Sequence, residues 1–307
     1  MQINAVFEGG GMKGISLVGA VYATERYGIT FNQVAGTSTG AIIASMLAAG
    51  YTAKEMKPII QQTPFTSFLK RSPVFNVKII GPAIRLLLRK GLFSGDVLEQ
   101  WIAELLRARG VRTFADLPRG KLRIVASDIS NGRLLVLPDD IVFYGIQPNR
   151  LEVAKAVRMS ASIPYFFDPV ILKEKKLRSH VGKLQRPRKS AYIVDGGLLS
   201  NFPLWLFDEE EHNRNNAIPV IGYQLVGKNK NEPRTIRGPI TMLQAIFETM
   251  MQAHDERYIE KENRERTIKI PTLGISTTQF NLSPEASERL FEAGRVAAAT
   301  FFADSRK

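Results

Sequence analysis

The sequence predicts an α/β fold in which a mostly parallel central sheet lies between helices in three α/β/α layers. Two apolar runs, residues 3–7 and 31–35, are each followed by a glycine-rich turn and then by a segment with apolar residues at helical spacing. This alternation is typical of βαβ units, whose strands pair in parallel. The 307 residues, of which 44% are hydrophobic, suffice to bury the core of one large α/β domain. We therefore expect a single domain over residues 1–307.

The N-terminal elements follow from local signals. Residues 3–7 and 31–35 contain the β-branched and aromatic residues that favour strands. Residues 12–27 place apolar side chains at helical spacing, and Gly28 suits a helix C-cap. Residues 39–49 are rich in alanine and end before Gly50, which predicts a buried helix.

The later elements continue this alternation. A helix is expected from Ser94, as its cap, to a stop at Gly110, and Ser283-Pro284-Glu285 has the composition of a helix N-terminus. Further helices are expected at residues 151–162 and 240–262. Further strands are expected at residues 122–127, 134–137, 170–172, 192–194, 220–225 and 267–270, the first two joined by an Asn131-Gly132 turn.

The chain is strongly basic, with 42 lysines and arginines against 29 acidic residues and a net charge of +13. Such a charge favours an anionic partner, a phospholipid surface or nucleic acid, or is simply a basic solvated surface. Without cysteine, disulfides, thiolate metal sites and a cysteine nucleophile are excluded. The sequence shows no signal peptide and no apolar run of about 18–20 residues, the length of a transmembrane helix. We expect a cytoplasmic protein that contacts membranes only peripherally.

Residues 36–40 read Gly-Thr-Ser-Thr-Gly, a G-x-S-x-G pentapeptide between a predicted strand and a predicted helix. Such a turn exposes a serine hydroxyl for attack on a carbonyl. Gly36 and Gly40 permit the tight turn, and the N-terminus of the following helix favours negative charge beside Ser38. Ser38 is therefore a candidate nucleophile for acyl transfer, which also needs a base and donors for the oxyanion.

A second glycine-rich segment follows the first predicted strand and comprises Gly9, Gly10, Gly11, Met12, Lys13 and Gly14. Its backbone N–H groups suit an oxyanion, with Gly10 and Gly11 the best candidates, and Lys13 adds positive charge. The same residues also satisfy the dinucleotide fingerprint G-x-G-x-x-G. The second strand, however, leads into the serine pentapeptide instead of the acidic residue that would bind a ribose. This favours the oxyanion interpretation.

The candidate base is Asp195, which ends an apolar run and precedes Gly196 and Gly197. The alternative is an ordinary Asp-Gly turn. The order Ser38, Asp195, His254 matches the triad order of α/β-hydrolases, but that fold has several strands before its nucleophile and only two fit here. Asp195 acting directly on Ser38 is therefore the preferred interpretation. The remaining histidines lie in polar stretches at His180 and His212.

Together these motifs resemble the patatin-like phospholipases. That family combines a G-G-G-x-[RK]-G loop, a G-x-S-x-G pentapeptide and a distant D-G-[GA], and the chain has all three in this order. A fourth block, Ser160-Ala161-Ser162-Ile163-Pro164, is similar to the family's segment ahead of the aspartate, as is the following Phe167-Asp168-Pro169. Asn201 and Pro203 also fit. The resemblance covers about residues 3–203, whereas residues 204–307 show only a general α/β pattern.

The resemblance implies a lipid acyl hydrolase of the phospholipase A type that cleaves fatty-acyl esters through an acyl-serine intermediate. It implies a dyad of Ser38 as nucleophile and Asp195 as general base, without histidine, metal or cofactor. Gly10 and Gly11 would supply oxyanion donors, with Met12 as a further one. Two alternatives stay open: a carboxylesterase or thioesterase acting on soluble acyl groups, and a catalytically silent lipid-binding protein.

Two segments suggest how the chain would meet lipid. Residues 65–90 mix phenylalanine and leucine with basic residues such as Arg85, which suits an interfacial cap but equally an ordinary amphipathic surface helix. Lys173 to Lys189 holds eight basic residues and one glutamate, and would attract anionic headgroups or form a solvated loop. The second segment lacks the interleaved aromatic residues of a base-stacking platform, so nucleic acid is not an expected partner.

Overall fold

The computed structural model of the chain describes residues 1–69, 85–86, 88–173, 190–208, 218–227, 236, 238, 241–242, 245–246, 249–250, 265–275 and 282–304. The strands in this part of the chain are β1 (Gln2–Phe7), β2 (Thr30–Thr37), β3 (Gly91–Phe93), β4 (Leu122–Asp128), β5 (Arg133–Leu137), β6 (Tyr165–Phe167), β7 (Val170–Lys173), β8 (Ser190–Asp195), β9 (Val220–Val226) and β10 (Thr267–Pro271). The α-helices with described bounds are α1 (Gly14–Arg26), α2 (Thr39–Ala48), α3 (Ala53–Gln62), α4 (Asp96–Arg107), α5 (Val153–Ser160) and α6 (Pro284–Asp304).

Seven strands form one mixed sheet in the order β10-β9-β1-β2-β4-β8-β7, and an eighth strand, β5, also pairs with β4. β2 and β8 lie along one edge of β4, and β5 lies along the opposite edge. From β10 to β4 all neighbours are parallel, whereas β8 and β5 run antiparallel to β4, and β7 runs antiparallel to β8. The predicted mostly parallel sheet flanked by helices is confirmed. β3 and β6 form a separate parallel pair, which the sequence does not predict.

Two strands share one edge of β4, end to end. β2 pairs with β4 in parallel until Thr37 lies opposite Val125. β8 pairs with β4 in the antiparallel direction until Asp195 lies opposite Ala126. Because β5 occupies the other edge of β4, the C-terminal ends of β2 and β8 meet head to head. The residue that follows β2 is thereby placed beside the last residue of β8.

The sheet buries apolar side chains on both faces. Along β1, Ile3, Ala5 and Phe7 belong to the large core that includes α1, whereas Val6 packs on the other side against Phe202. This is the two-residue period of a strand covered on both faces.

The C-terminal helix packs closely on the first helix. α6 crosses α1 where two glycines bring the backbones together: a Cβ on Gly19 would lie 1.9 Å from the carbonyl oxygen of Phe291, and one on Gly294 would lie 1.8 Å from that of Ser16. Larger residues at either glycine would separate the helices. Residues 284–304, which lie beyond the motifs, are thus joined to the segment that follows the glycine-rich loop.

The predicted elements are largely present, with their ends shifted by a few residues. The helix predicted from residue 12 begins at Gly14, because Gly11–Lys13 forms a 3-10 turn. Ser94 is not the N-cap of α4: Gly95 takes that position with φ of 71°, and a side chain there would collide with the guanidinium of Arg158.

Two other helices differ from expectation. The sequence analysis predicts no helix over the residues of α3, although Thr52 and Glu55 form a capping box at its start. Of the helix predicted at residues 240–262, the described residues 241–242, 245–246 and 249–250 are helical, and the others lie outside the described residues. In the part of the chain that the structure describes, no helix is both long and apolar enough to cross a bilayer.

Candidate active site

Ser38 lies in the sharp turn between β2 and α2. Its backbone has φ of 53° and ψ of −121°, a positive φ that residues other than glycine rarely adopt. The turn closes only because its flanking residues are glycines. A Cβ on Gly36 would lie 2.4 Å from the carbonyl carbon of Gly40, and one on Gly40 would lie 2.1 Å from the carbonyl oxygen of Phe7. The serine is thus held in a strained backbone at the N-terminus of α2.

The Ser38 hydroxyl donates a hydrogen bond of 2.7 Å to Oδ2 of Asp195. This contact follows from the head-to-head meeting of β2 and β8 on β4. Both side chains are buried, with 5% of Ser38 and 1% of Asp195 exposed. The second carboxylate oxygen, Oδ1, accepts from the N–H of Gly197 at 2.8 Å. The carboxylate is therefore oriented by the following turn and contacts the serine directly.

Burial raises the pKa of Asp195 to about 7, while hydrogen bonds from the Gly197 N–H and the Ser38 hydroxyl oppose the rise. Desolvation disfavours the charged carboxylate and so increases its affinity for a proton. A group with a pKa near neutrality is well suited to accept a proton and return it during one reaction cycle at neutral pH.

A short segment that begins with the last residue of α5 holds the backbone of both residues. The hydroxyl of Ser160 accepts the N–H of Ser38 at 2.8 Å and donates to the carbonyl of Val125 at 2.6 Å. The carbonyl of Ser162 accepts the N–H of Asp195 at 2.9 Å. The block at residues 160–164, noted in the sequence only for its resemblance, therefore braces the serine and the aspartate together.

The glycine-rich loop lies against the serine. A Cβ on Gly9 would lie 3.2 Å from Cβ of Ser38, so a side chain there would crowd the hydroxyl. The N–H of Gly9 is donated to the carbonyl of Asn201 at 3.2 Å and is satisfied within the chain. In the described part of the chain, no acceptor takes the N–H of Gly10 or Gly11. This placement favours the oxyanion interpretation of the loop over the dinucleotide one.

A buried polar clamp holds the loop in position. The side-chain amide of Asn201 donates to the carbonyl of Gly9 and to Oε1 of Glu8, each at 3.2 Å. The other carboxylate oxygen of Glu8 accepts the N–H of Leu225. The clamp joins the ends of β1 and β9 to the segment after Asp195. Glu8 was not among the predicted site residues, and its only sequence signal is a carboxylate at the end of an apolar strand.

An apolar cavity opens beside Ser38. Gly11, Met12 and Gly14 of the loop line it, whereas Lys13 does not. Its other walls are Thr39, Ile42, Ile43, Ile60, Phe65, Phe68, Leu98, Trp101, Ala161, Ile163 and Phe167. The cavity is small, about 60 Å³, against the roughly 300–1,000 Å³ typical of ligand sites. Its apolar walls around one hydroxyl match the chemistry of a hydrocarbon chain attached to a reactive carbonyl.

The predicted cap segment is described only in part. Phe65 and Phe68 pack edge-to-face over the cavity, with ring centroids 5.5 Å apart. Arg85, one of its basic residues, is 4% exposed and donates two hydrogen bonds of 2.8 and 2.9 Å to the carboxylate of Asp168. The guanidinium of Arg85 is therefore buried and paired within the fold.

Several predicted features lie outside the described residues. They are residues 70–84 and 87 of the cap segment, residues 174–189 of the basic segment, and His180, His212 and His254. In the described part of the chain, no group of three or more histidine and carboxylate side chains is arranged to hold a metal.

Comparison with known proteins agrees with this geometry. Residues 5–208 match the sequence model of the family described as "Patatin-like phospholipase". The chain belongs to the patatin-like phospholipase family. The match includes the glycine-rich loop, Ser38, Asp195 and Asn201, so the resemblance inferred from the motifs is confirmed. Among its relatives, the "Uncharacterized protein YqhO" of Bacillus subtilis is 43% identical over 296 residues, which is 96% of each chain.

Two further comparisons reach proteins of lower identity. The "probable lipid hydrolase 463L" of Invertebrate iridescent virus 6 is 26% identical over 223 residues, covering 69% of this chain and 64% of the viral one. The crystal structure of VipD from Legionella pneumophila has a TM-score of 0.56 at 19% identity, covering 98% of this chain and 67% of VipD. This structural likeness supports the patatin-like fold.

Proposed function

We propose that this patatin-like protein is a lipid acyl hydrolase of the phospholipase A type, with Ser38 as nucleophile and Asp195 as general base. The observation that carries the proposal is the direct 2.7 Å hydrogen bond between the two buried side chains at an apolar cavity. Family membership and the name of the viral relative support a lipid substrate.

In the acylation step, Ser38 Oγ attacks the ester carbonyl carbon while its proton passes to Oδ2 of Asp195. The carbonyl oxygen becomes an oxyanion, which the N–H groups of Gly10 and Gly11 stabilise. When the tetrahedral intermediate collapses, the bond to the alcohol oxygen breaks. The leaving oxygen takes the proton from Asp195, and the fatty-acyl group remains on the serine.

In the deacylation step, Asp195 takes a proton from a water molecule whose oxygen attacks the acyl carbon. The second intermediate expels Ser38 Oγ, which recovers its proton from Asp195, and the fatty acid leaves. The aspartate thus changes between base and acid twice in each cycle. Its pKa of about 7 supports this role, because neither proton transfer is then strongly uphill at neutral pH.

The substrate is expected at an anionic membrane surface that the protein contacts peripherally. The net charge of +13 supports this, since basic residues near an anionic bilayer each contribute about 1 kcal/mol to binding. The partly exposed Phe65 stands at the cavity and offers an apolar contact to the interface.

The test is fatty acid release from vesicles that contain phosphatidylglycerol, with EDTA present. We expect wild type to release fatty acid. The rate of release should fall more than about a thousandfold in Ser38→Ala and in Asp195→Asn. Ser45→Ala is the matched control, because Ser45 is buried in α2 and, among the residues that the structure describes, its hydroxyl bonds only to the carbonyl of Ile42. It is expected to retain activity.

Two outcomes would change the proposal. Activity that survives Ser38→Ala would overturn the mechanism. Hydrolysis of p-nitrophenyl butyrate without release from vesicles would retain the dyad but replace the lipid substrate with soluble esters. Covalent labelling of Ser38 by a fluorophosphonate distinguishes either enzyme from a silent lipid-binding protein.

A further inference from the structure

A second pocket lies between α1, α3 and α6, at the C-terminal end of α1. We call it the basic groove and define it by Tyr22, Arg26, Lys54, Lys57, Phe291 and Arg295. Its volume is about 550 Å³, within the roughly 300–1,000 Å³ typical of small-molecule sites. None of these residues takes part in the proposed reaction.

The basic groove is separate from the Ser38 cavity. α1 begins at Gly14, which lines that cavity, and ends at Arg26, which lines the groove. At 1.5 Å per residue these two positions are about 18 Å apart along the helix. A molecule in the basic groove is therefore not a substrate in place for attack by Ser38.

Four basic side chains line the basic groove against a single acidic one, Glu292. Lys57 is held by Glu288 at 2.7 Å, and Arg295 is held by Glu292 at 2.8 Å. Within the described residues, Arg26 and Lys54 have no ion-pair partner, and both are exposed. The groove thus has two cations fixed by α6 and two whose donors are available to a ligand.

Aromatic rings form an apolar surface between these cations. Tyr22 and Phe291 lie with ring centroids 5.8 Å apart, and the ammonium of Lys57 lies 4.1 Å above the Phe291 ring. A ring or other apolar group of a ligand would pack on such a surface while an anionic group meets the basic side chains.

We propose that the basic groove binds an organic phosphate. Arg26 offers paired N–H donors that match phosphate oxygens, and Lys54 and Lys57 add point charges. The aromatic rings take the organic part. The phosphate belongs either to a free small molecule or to a lipid headgroup, and both present the same chemistry to the groove.

The experiment uses the full chain carrying Ser38→Ala, so that no substrate is consumed and the result does not depend on the proposed hydrolysis. ADP and inorganic pyrophosphate are titrated calorimetrically at 0.15 M salt. Binding to phosphatidylglycerol vesicles is measured by sedimentation. The test variant is Arg26→Glu/Lys54→Glu. The matched control is Arg107→Glu/Arg119→Glu, which makes the same charge change at exposed residues that have no ion-pair partner in the described part of the chain.

We expect ADP to bind more tightly than pyrophosphate, and Arg26→Glu/Lys54→Glu to weaken ADP at least tenfold while the control variant changes it less than twofold. A selective loss of vesicle binding without ADP binding would also support the proposal and identify a lipid headgroup as the source. The proposal would be overturned if the two double variants lost binding equally. It would also be overturned if Arg26→Glu/Lys54→Glu showed no selective loss of binding to any of the three probes. Thermal melting of both variants confirms that the fold is retained.

Discussion

The backbone N–H of Ser38 is bound by the hydroxyl of Ser160, at 2.8 Å and across 122 residues of sequence. The same hydroxyl donates to Val125 on β4, so its hydrogen has a fixed direction. Ser160 therefore ties the strained turn of the nucleophile to the strand on which β2 and β8 meet. It also satisfies the N–H of Ser38 within the chain.

Ser160→Ala is expected to lower kcat on p-nitrophenyl butyrate about 10- to 100-fold, with KM changed less than threefold, because the nucleophile loses its backbone support. Ser162→Ala is the control: that side chain is equally buried, but its hydroxyl bonds to Arg158 instead of Ser38. Each variant is expected to lose about 1–3 kcal/mol of stability. Equal losses of kcat in the two variants would show that Ser160 has no specific positioning role.

The rate of hydrolysis is expected to rise with pH and to level off above an apparent pKa of about 7. Asp195 has to be deprotonated to accept the proton of Ser38, and burial raises its pKa to about 7. The measurement is kcat/KM for p-nitrophenyl butyrate from pH 5.5 to 8.5. A flat profile over this range would contradict the assignment of Asp195 as the base.

Asp195→Asn is expected to stabilise the protein more at pH 8 than at pH 5. The folded-state pKa is raised to about 7 from the ordinary 3.8, so the folded state binds more protons than the unfolded state between these values. The free energy of unfolding of wild type therefore falls as pH rises through this window. The advantage of the variant should grow by about 2–3 kcal/mol from pH 5 to pH 8. Urea denaturation of both proteins at the two pH values measures it, and an advantage that shrinks with pH would refute the raised pKa.

Ser38→Gly is expected to be more stable than Ser38→Ala by about 1 kcal/mol, because glycine adopts the positive φ of the turn without strain. The same pair of substitutions at Ser45, in the middle of α2, should give the opposite sign, since glycine weakens a helix by about 1 kcal/mol relative to alanine. Thermal unfolding of the four variants provides the comparison. The same sign at both positions would mean that the turn at Ser38 stores no strain.

Ile42→Phe is expected to lower the hydrolysis of p-nitrophenyl palmitate about tenfold relative to p-nitrophenyl butyrate. Ile42 lines the cavity one helical turn beyond Ser38, and a larger side chain there shortens the space for an acyl chain. Ile42→Val, which removes volume, should leave the ratio of the two rates near that of wild type. An unchanged ratio in Ile42→Phe would place the acyl chain elsewhere.

The sequence is sufficient to predict the glycine-rich loop, the serine turn and the strands around them, because each depends on local chemistry. Glycine is required at positions 36 and 40, because neighbouring backbone lies too close to either residue for a side chain. This requirement is visible in the sequence as the G-x-S-x-G spacing. Asp195 was identifiable only through its Asp-Gly-Gly context and its order after the serine motif. The structure places its carboxylate 2.7 Å from the Ser38 hydroxyl, and its role in catalysis stays a proposal.

Other features depend on pairings between distant residues and leave no local signal. The bracing by Ser160 and the clamp formed by Glu8 require the register of β4 and β9, which single-sequence patterns do not reveal. Arg85 shows the same limit: the mixed apolar and basic composition around it fits an interfacial cap and an amphipathic surface helix equally. Only its pairing with Asp168 shows that it is buried.

The head-to-head meeting of β2 and β8 also has a consequence during protein synthesis. Ser38 leaves the ribosome 157 residues before Asp195, an interval of roughly 8–31 s at about 5–20 residues per second. A nascent chain therefore carries the serine turn and the glycine-rich loop without the carboxylate that contacts the serine. If hydrolysis proceeds as we propose, translation itself delays the activity until β8 has been made and has taken its place on β4.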